Sequence, residues 1–143
     1  MEVSSVFKTS TVNECKVINL PKFATSAGHI TAINNQVEIP FNTKRVYYLY
    51  DIPSGETRGG HAHYNLYQLI VAAMGSFDVI LHDGLNERRI TLNQPNQGLL
   101  LVPGIWRELE NFSAGSILLV LASDSYNDLD YIRTIDKFNC EKS

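Results

Sequence analysis

Short runs of β-branched and aromatic residues, each bounded by residues that favour turns, dominate the sequence. Segments with the 3.6-residue periodicity of a helix are scarce, so the pattern predicts an all-β domain. Strands are predicted at residues 16–20, 29–34, 45–51, 57–61, 67–73, 76–82, 87–92, 98–102 and 116–122. This number of short, closely spaced strands is typical of a sandwich or barrel.

Turn residues separate the predicted strands. Asp83-Gly84 lies between two of them, and Asp-Gly tolerates the positive φ angles of a tight hairpin turn. Loops are predicted at 53–55, 93–96 and 103–104, where Pro occurs with Gly, Asn or Ser. We therefore expect a β-hairpin centred on Asp83-Gly84.

The length of 143 residues suits a single domain, 1–143, and leaves no room for a second one. Segment 128–135 predicts a short C-terminal helix, with acidic residues near its positive end. Residues 1–10 and 138–143 are expected to be frayed because they are mostly polar.

Charge and composition argue against several classes of protein. The net charge is -3 and the 12 Lys and Arg residues are scattered, which is not the pattern of a nucleic-acid-binding protein. The N-terminus lacks the pattern of a secretory signal and no apolar run reaches the roughly 20 residues of a membrane span, so the cytoplasm is the expected location. Cys15 and Cys140 have neither zinc-site nor disulfide-framework spacing and are expected to be reduced thiols.

A histidine pair carries the clearest chemical signal. The pattern Gly55-x5-His61-x-His63, closed by Gly75, resembles the first of the two motifs of cupin barrels. The resemblance implies a jelly-roll-like cupin β-barrel. Residues two apart in a strand face the same side, so both imidazoles are expected to point inward, with Ala62 facing out.

The remaining cupin positions argue against a metal ion. Metal-binding cupins have a carboxylate and a third histidine where this chain has Gln68 and Arg107, although Asn111 keeps its place. A guanidinium has no lone pair to donate, and two imidazoles alone rarely hold a catalytic metal. His61 and His63 are therefore expected to act as acid and base, with pKa values lowered by burial and by Arg107.

A purely structural role for His61 and His63, as hydrogen-bonded interior residues, is the alternative to that interpretation. His29 and His82 have no comparable partner spacing. We expect both of them to be structural.

Several short motifs resemble those of the cupin-type sugar 3,4-ketoisomerases. They are Lys44-Arg45-Val46-Tyr47-Tyr48, Arg58-Gly59-Gly60-His61-Ala62-His63, Trp106-Arg107-Glu108, Leu121-Ala122-Ser123-Asp124 and Asp130-Tyr131-Ile132-Arg133. The resemblance implies an enzyme that needs no cofactor and moves the keto group of dTDP-4-keto-6-deoxyglucose from C4 to C3. Such enzymes serve the synthesis of 3-amino-3,6-dideoxysugars of bacterial surface glycans.

The resemblance also implies roles for single residues. His61 is the first candidate for the base that removes the C3 proton and protonates C4, while His63 orients it or relays the proton. Tyr47 would hydrogen-bond the enediolate oxygen, and Arg58 would hold the pyrophosphate through two parallel hydrogen bonds. Further substrate-binding candidates are Arg45, Tyr48, Trp106, Arg107 and Asn111. For the first three of these, a solvent-exposed charge or a place in the barrel core is the alternative.

Three positions depart from the family pattern. Tyr64 and Tyr67 stand where a basic residue and Glu are usual. Ala27 stands before Gly28. At that position, enzymes that make the gluco-configured product tend to have Tyr, and those that make the galacto-configured product tend to have Arg. Arg107 matches the gluco producers. The configuration at C4, the nucleotide and the downstream pathway stay open at this point.

Two other functions compete with the isomerase, namely a metal-dependent cupin enzyme and a non-catalytic sugar-nucleotide-binding domain. Both the isomerase and the binding domain are expected to bind a nucleotide sugar. N-terminal strand signals and apolar edge strands also predict a homodimer, since family members are commonly dimers with exchanged strands.

Overall fold

The computed structural model describes residues 2–143, and Met1, which the predicted domain and its frayed N-terminus included, lies outside them. The strands are β1 (Val17–Asn19), β2 (Phe23–Thr25), β3 (Gly28–Ile30), β4 (Arg45–Leu49), β5 (Arg58–His63), β6 (Gln68–Met74), β7 (Phe77–His82), β8 (Glu87–Leu92), β9 (Gln97–Leu101), β10 (Trp106–Glu110), β11 (Ile117–Ala122) and β12 (Tyr131–Ile132). The α-helix α1 is Ile135–Lys142, and 3-10 helices occupy Val12–Glu14 and Asp128–Asp130.

Two antiparallel five-stranded sheets form the barrel. One has the strand order β1-β9-β6-β11-β4 and the other β12-β5-β10-β7-β8, while β2 and β3 form a separate two-stranded hairpin. The chain crosses repeatedly from one sheet to the other, which is the connectivity of a jelly roll. The predicted all-β, jelly-roll-like cupin barrel with a short C-terminal helix is confirmed. Neither α1 nor the 3-10 helices in the described part of the chain are long and apolar enough to cross a bilayer.

The main core fills the space between the sheets. Along β7, the side chains of Phe77, Val79 and Leu81 are buried, because alternate residues of a strand face the same side. They share one apolar cluster with Leu99 and Leu101 of β9, in the facing sheet. Polar side chains of β4, β5, β6 and β10 interrupt this interior, and a cavity lies among them.

The β7–β8 hairpin is confirmed where Asp83-Gly84 predicted it, and Gly84 has a φ of 97°. Asp83 Oδ1 accepts hydrogen bonds from the backbone N–H groups of Leu85 and Asn86 at 2.9 and 2.7 Å. Its Oδ2 accepts a hydrogen bond from the N–H of Val12 at 2.9 Å. One buried carboxylate therefore fixes the turn and attaches the N-terminal segment to it.

The strand bounds differ from the predictions at several places. β2, β10 and β12 were not predicted. β2 and β12 have only three and two residues, and β10 has the adjacent charged residues Arg107 and Glu108, of which Arg107 is buried. β3 ends at Ile30, four residues before the predicted end at 34. β5 continues to His63, beyond the predicted end at His61, so both histidines lie within one strand.

The C-terminal helix lies further along the chain than predicted. Segment 128–135 forms a 3-10 turn and the short strand β12, and α1 begins only at Ile135. Thr134 caps α1, its Oγ1 accepting a hydrogen bond from the N–H of Lys137 at 3.3 Å. Residues 138–143, expected to be frayed, include five of the eight residues of this helix, and Phe138 is fully buried.

The N-terminal segment also packs on the barrel, in contrast to the expectation that residues 1–10 fray. Phe7 is buried in one cluster with Ala62, Trp106 and Phe138. Lys142 Nζ donates a hydrogen bond to the backbone oxygen of Phe7 at 2.6 Å. The short apolar pair Val6-Phe7 between polar residues gives little signal in the sequence. Ala62 is consequently covered by both termini and not by solvent.

Candidate active site

A cavity of about 450 Å³ lies between the two sheets, a size typical of small-molecule sites. Tyr47 on β4 and Gln68 on β6 line it from one sheet, and His61 on β5 and Arg107 on β10 line it from the other. Arg58, the first residue of β5, lines it as well. The fold thus brings together residues separated widely in sequence.

Strand β4 carries three of the predicted site residues and directs them to two opposite faces. Arg45 and Tyr47 are half-buried and line the cavity, whereas Tyr48 is 58% exposed on the outer face. The guanidinium carbon of Arg45 lies 5.0 Å from the centroid of the Tyr47 ring and 5.5 Å from that of Tyr126. Both distances are in the range of cation–π interactions, which hold Arg45 at the cavity wall.

Two further predicted binding residues lie outside the cavity. Trp106 is buried on the outer side of its sheet, with its ring centroid 6.0 Å from that of Phe138. Asn111 follows β10 with a φ of 57°, and its Nδ2 donates to Asp78 Oδ2 at 3.4 Å. The contacts of both residues belong to packing and to the turn after β10.

The two histidines of β5 lie side by side and line different cavities. His61 lines the 450 Å³ cavity, and the fully buried His63 lines a second cavity of about 290 Å³. Their ring centroids are 4.8 Å apart and their planes are nearly perpendicular. Arg45 and Tyr131 line both cavities and so form the wall between them.

Asp130 holds the ring of His63. Its Oδ2 lies 3.0 Å from His63 Nδ1, and its Oδ1 accepts a hydrogen bond from the N–H of Asn65 at 2.8 Å. Because a carboxylate accepts, His63 Nδ1 carries the ring proton and Nε2 keeps its lone pair. That Nε2 is buried and has no hydrogen-bond partner among residues 2–143.

Both imidazoles are neutral at physiological pH. Burial, and secondly the positive charge of Arg107, lower the pKa of His61 from 6.5 to about 2. The same two causes lower the pKa of His63 to about 2, despite the adjacent Asp130. The direction agrees with the sequence-based expectation. The Nε2 of His61, like that of His63, lacks a hydrogen-bond partner within the described residues, so its lone pair can accept a proton from a ligand.

Arg107 provides a buried cation beside the cavity. It pairs across the sheet with His61 and is almost fully buried. Its Nε and Nη2 donate to the backbone oxygen of Ile105 at 3.3 and 3.2 Å, and its Nη1 donates to Gln68 Oε1. These partners are neutral. Since a guanidinium stays protonated in proteins, its charge is available to an anion in the cavity.

Gln68 links Arg107 to Tyr47. Its Nε2 donates a hydrogen bond to Tyr47 Oη at 3.0 Å. Burial raises the pKa of Tyr47 above its ordinary value of 10, although the charge of Arg107 acts in the opposite direction. The phenol is therefore protonated at neutral pH and can donate a hydrogen bond.

Sequence reasoning missed the contribution of segment 130–133 to the site. The motif was recognised as part of the resemblance, but no role followed from it. In the structure the Tyr131 ring centroid lies 4.4 Å from that of His63, and the guanidinium carbon of Arg133 lies 4.2 Å from the centroid of the Tyr131 ring. Arg133 Nη2 also donates to Asp128 Oδ1 at 2.8 Å. No local pattern could have identified Tyr131, because β12 has only two residues.

The donors of the cavity do not suit a metal ion. Within residues 2–143, no three side chains of His, Cys, Asp or Glu are grouped so that they could hold one. Gln68 and Arg107 stand beside His61, and a guanidinium repels a cation instead of ligating it. The metal-dependent alternative therefore lacks a ligand set in the described part of the chain.

The chain is similar to known proteins over most of its length. Residues 13–143 match the family model described as FdtA: WxcM-like, C-terminal. The chain is also similar to the TDP-4-oxo-6-deoxy-α-D-glucose-3,4-oxoisomerase of Aneurinibacillus thermoaerophilus. The two are 46% identical over 87% of this chain and 90% of that protein.

Two solved structures are similar as well. QdtA, a sugar 3,4-ketoisomerase from Thermoanaerobacterium thermosaccharolyticum in complex with TDP, is 38% identical, with a TM-score of 0.90 over 92% of this chain and 96% of that one. The TDP-quinovose 3,4-ketoisomerase WlaRB from Campylobacter jejuni is 45% identical, with a TM-score of 0.86 over 90% and 99% of the two chains. Together with the arrangement of His61, Tyr47 and Arg107, these matches establish that the chain belongs to the cupin-type sugar 3,4-ketoisomerase family.

Proposed function

We propose that the protein converts TDP-4-keto-6-deoxyglucose into the 3-keto isomer, without a metal ion or other cofactor. The observation that carries this proposal is a neutral imidazole, His61, in one cavity with a phenol and a buried guanidinium, those of Tyr47 and Arg107. The relatives of the chain bear the names of enzymes for TDP-linked sugars. The 3-keto product would then suit an amino-transfer step that yields a 3-amino-3,6-dideoxysugar.

In this mechanism His61 Nε2 removes the proton from C3, next to the C4 ketone. The electrons of the C–H bond form a double bond between C3 and C4, and the oxygen on C4 becomes negative. His61 then returns its proton to C4, while the hydroxyl proton on C3 passes to the oxygen on C4. One proton thus moves between the carbons and another between the oxygens, and no oxidant or reductant is required.

The low pKa of His61 is compatible with this role because the proton transfer creates two opposite charges. The imidazolium forms next to the enediolate, and their attraction is strong in a site that excludes water. Arg107 adds a fixed positive charge for the enediolate. Tyr47 donates a hydrogen bond to the developing oxygen anion, the type of contact whose loss costs about 100- to 1000-fold in kcat.

We assign the transfer of the proton between the two sugar oxygens to His63. Its Nε2 has a free lone pair, since Asp130 holds the proton on Nδ1 at 3.0 Å. His63 lines the neighbouring cavity, and its ring centroid lies 4.8 Å from that of His61, so this transfer requires the sugar oxygens to lie at the boundary between the two cavities. Asp130 is in this account a positioning residue that fixes the tautomer of His63.

Arginines around the cavity would bind the pyrophosphate of the substrate. Arg45, Arg58 and Arg133 line the cavity in addition to Arg107, in a chain whose net charge is -3. Such a local concentration of positive charge favours an anionic ligand, and guanidinium groups bind phosphate oxygens in pairs. We assign Arg58 as the principal contact and Arg45 and Arg133 as its supports.

We infer the gluco configuration at C4 of the product. Arg107 agrees with the residue that producers of this configuration tend to have, and the chain is 45% identical to an enzyme named for TDP-quinovose, a 6-deoxyglucose. Ala27 lies in the exposed β2–β3 hairpin and gives no contrary indication. Proton NMR of the equilibrated product distinguishes the two C4 epimers.

We further propose that the protein is a homodimer in which the β2–β3 hairpin of each chain covers the other. The hairpin pairs with no further strand of the described chain, and its Phe23 and Ile30 are 62% and 65% exposed. β4 is an edge strand with Val46 and Tyr48 exposed on its outer face. β1 pairs with β9 of the same chain, so the hairpin is the segment left for exchange. Light scattering is expected to give twice the chain mass of 16.1 kDa, and a single-chain mass would contradict the proposal.

The direct test of the function is NMR of TDP-4-keto-6-deoxyglucose incubated with the purified protein and excess chelator. The 3-keto sugar is expected to accumulate. An intact substrate pool after prolonged incubation would refute the isomerase. TDP binding without turnover would favour the binding-domain alternative, and activity that depends on a stoichiometric metal would favour the metal-dependent one.

A further inference from the structure

Gln68 connects two groups of the proposed mechanism but has no role in it so far. Its side chain is 1% exposed on β6, and both ends of its amide are engaged. Oε1 accepts from Arg107 Nη1, and Nε2 donates to Tyr47 Oη at 3.0 Å. The three side chains therefore form one continuous chain of hydrogen bonds beside His61.

The direction of these hydrogen bonds follows from the chemistry of Arg107. A guanidinium has only donors, so the Gln68 atom that faces it must be the carbonyl oxygen. The amide nitrogen must then face Tyr47, whose oxygen accepts. The donors of Arg107 thus leave only one amide orientation open to Gln68.

The consequence concerns the phenolic hydrogen of Tyr47. Because Gln68 occupies an acceptor site of the phenol oxygen, the hydrogen must point away from Gln68. Tyr47 lines the cavity, and within the described residues the hydrogen bond from Gln68 is the one that its hydroxyl makes. The hydrogen is therefore free to be donated to a ligand in the cavity.

We propose that Gln68 is a positioning residue that directs the hydroxyl hydrogen of Tyr47 into the cavity, toward the substrate oxygen on which the enediolate charge develops. The proposal rests on the proposed isomerase function. The contact with Arg107 polarises the amide and strengthens its donation to Tyr47, as linked hydrogen bonds do. A carboxylate at this position would reverse the last link, since it only accepts and would take the hydrogen of Tyr47 for itself.

The test is the Gln68→Glu variant, which keeps the size of the side chain and reverses that link. With chelator present, its kcat is expected to fall on the order of 100-fold, the effect of losing one donor to an oxyanion, while KM changes little. Gln97→Glu is the matched control, because Gln97 lies on β9 of the same sheet and outside the cavity. The control is expected to have the kcat of the unmodified protein.

A double-mutant cycle with Tyr47→Phe separates positioning from a general effect of the new charge. If Gln68 acts through the hydroxyl of Tyr47, Gln68→Glu lowers kcat only slightly when Tyr47→Phe is already present. Equal fold-losses in both backgrounds would overturn the proposal, and so would an unchanged kcat in the single variant.

Separate control measurements distinguish a folding defect from a loss of function. If Gln68→Glu does not unfold cooperatively in urea, Gln68→Met takes its place in the double-mutant cycle, because methionine is uncharged and of similar size. Equal fold-losses in both backgrounds, or an unchanged kcat in the single variant, would again overturn the proposal. An unmodified protein that fails to isomerise the sugar refutes the proposed function. If the unmodified protein is active but Gln68→Glu lowers kcat by the same factor with and without Tyr47→Phe, only the inference about Gln68 is refuted.

Discussion

Replacement of His61 by Asn is the most informative single change, because it removes the imidazole that lines the 450 Å³ cavity. Asn is polar and smaller, and it does not accept a proton at neutral pH. His63 is not expected to take over at the carbons, since Asp130 holds its ring through Nδ1 at 3.0 Å and its position beside the second cavity suits the sugar oxygens instead. The variant therefore tests which of the two histidines is the base.

The expected loss follows from the groups that remain. A positioned general base contributes about 100- to 10,000-fold to the rate, which corresponds to about 3 to 5 kcal/mol in the activation barrier. Tyr47 and Arg107 are unchanged and still stabilise the enediolate, so some activity should persist. Arg58 and Arg45 are also unchanged, and affinity for TDP is expected to stay the same.

The assay is the initial rate of 3-keto sugar formation by NMR, together with calorimetric titration of TDP. His82→Asn is the matched control, since His82 lies at the end of β7, where its Nδ1 accepts a hydrogen bond from the N–H of Gly84 at 2.9 Å, outside the cavity. A His61→Asn variant that keeps its kcat within roughly tenfold of the unmodified enzyme, below the range of general-base effects, would refute the assignment of the base.

Three other predictions concern the second histidine, the termini and pH. Asp130→Asn presents an amide donor to His63 and favours its other tautomer. We expect kcat to fall about 10- to 100-fold, the range found for the carboxylate partners of metal-bound imidazoles, with TDP affinity unchanged. An unaltered kcat would contradict the relay. Phe138→Ala is expected to lower the free energy of unfolding in urea by about 3 to 5 kcal/mol, because the ring is fully buried, whereas a negligible change would support the frayed C-terminus. Since burial and Arg107 lower the pKa of His61 and His63 from 6.5 to about 2, the unfolded chain binds more protons than the folded one between these values. The free energy of unfolding should therefore fall as the pH drops below 6.5, by up to about 1.4 kcal/mol per pH unit for each histidine, and urea titrations that show no such fall would contradict the buried, neutral state.

The features that could be predicted from the sequence are those that depend on neighbouring residues. Asp83-Gly84 specifies its turn through local backbone preferences, and the structure has the hairpin there. The spacing of His61 and His63 matches the two-residue repeat of a strand, and the two residues lie in one strand. The scarcity of helical periodicity was sufficient to predict an all-β domain, whereas the cupin barrel followed from the resemblance of the histidine motif.

Long-range contacts explain what the sequence could not specify. Asp130 meets His63 across 67 positions of the chain, and no local pattern links the two. Tyr47 and Tyr48 are chemically alike, and only the face of β4 that meets the other sheet decides which of them reaches the cavity. α1 has mostly polar residues, and its Phe138 is buried against Phe7, Ala62 and Trp106, which lie far from it in the sequence.

The most direct measurement for the central claim is a crystal structure of the His61→Asn variant with TDP-4-keto-6-deoxyglucose bound. The account predicts the sugar in the 450 Å³ cavity, with C3 and C4 beside position 61, the oxygen on C4 within hydrogen-bond distance of Tyr47 Oη, and the pyrophosphate on Arg58. A sugar ring in the 290 Å³ cavity, with its C3 against His63 and Asp130, would contradict it.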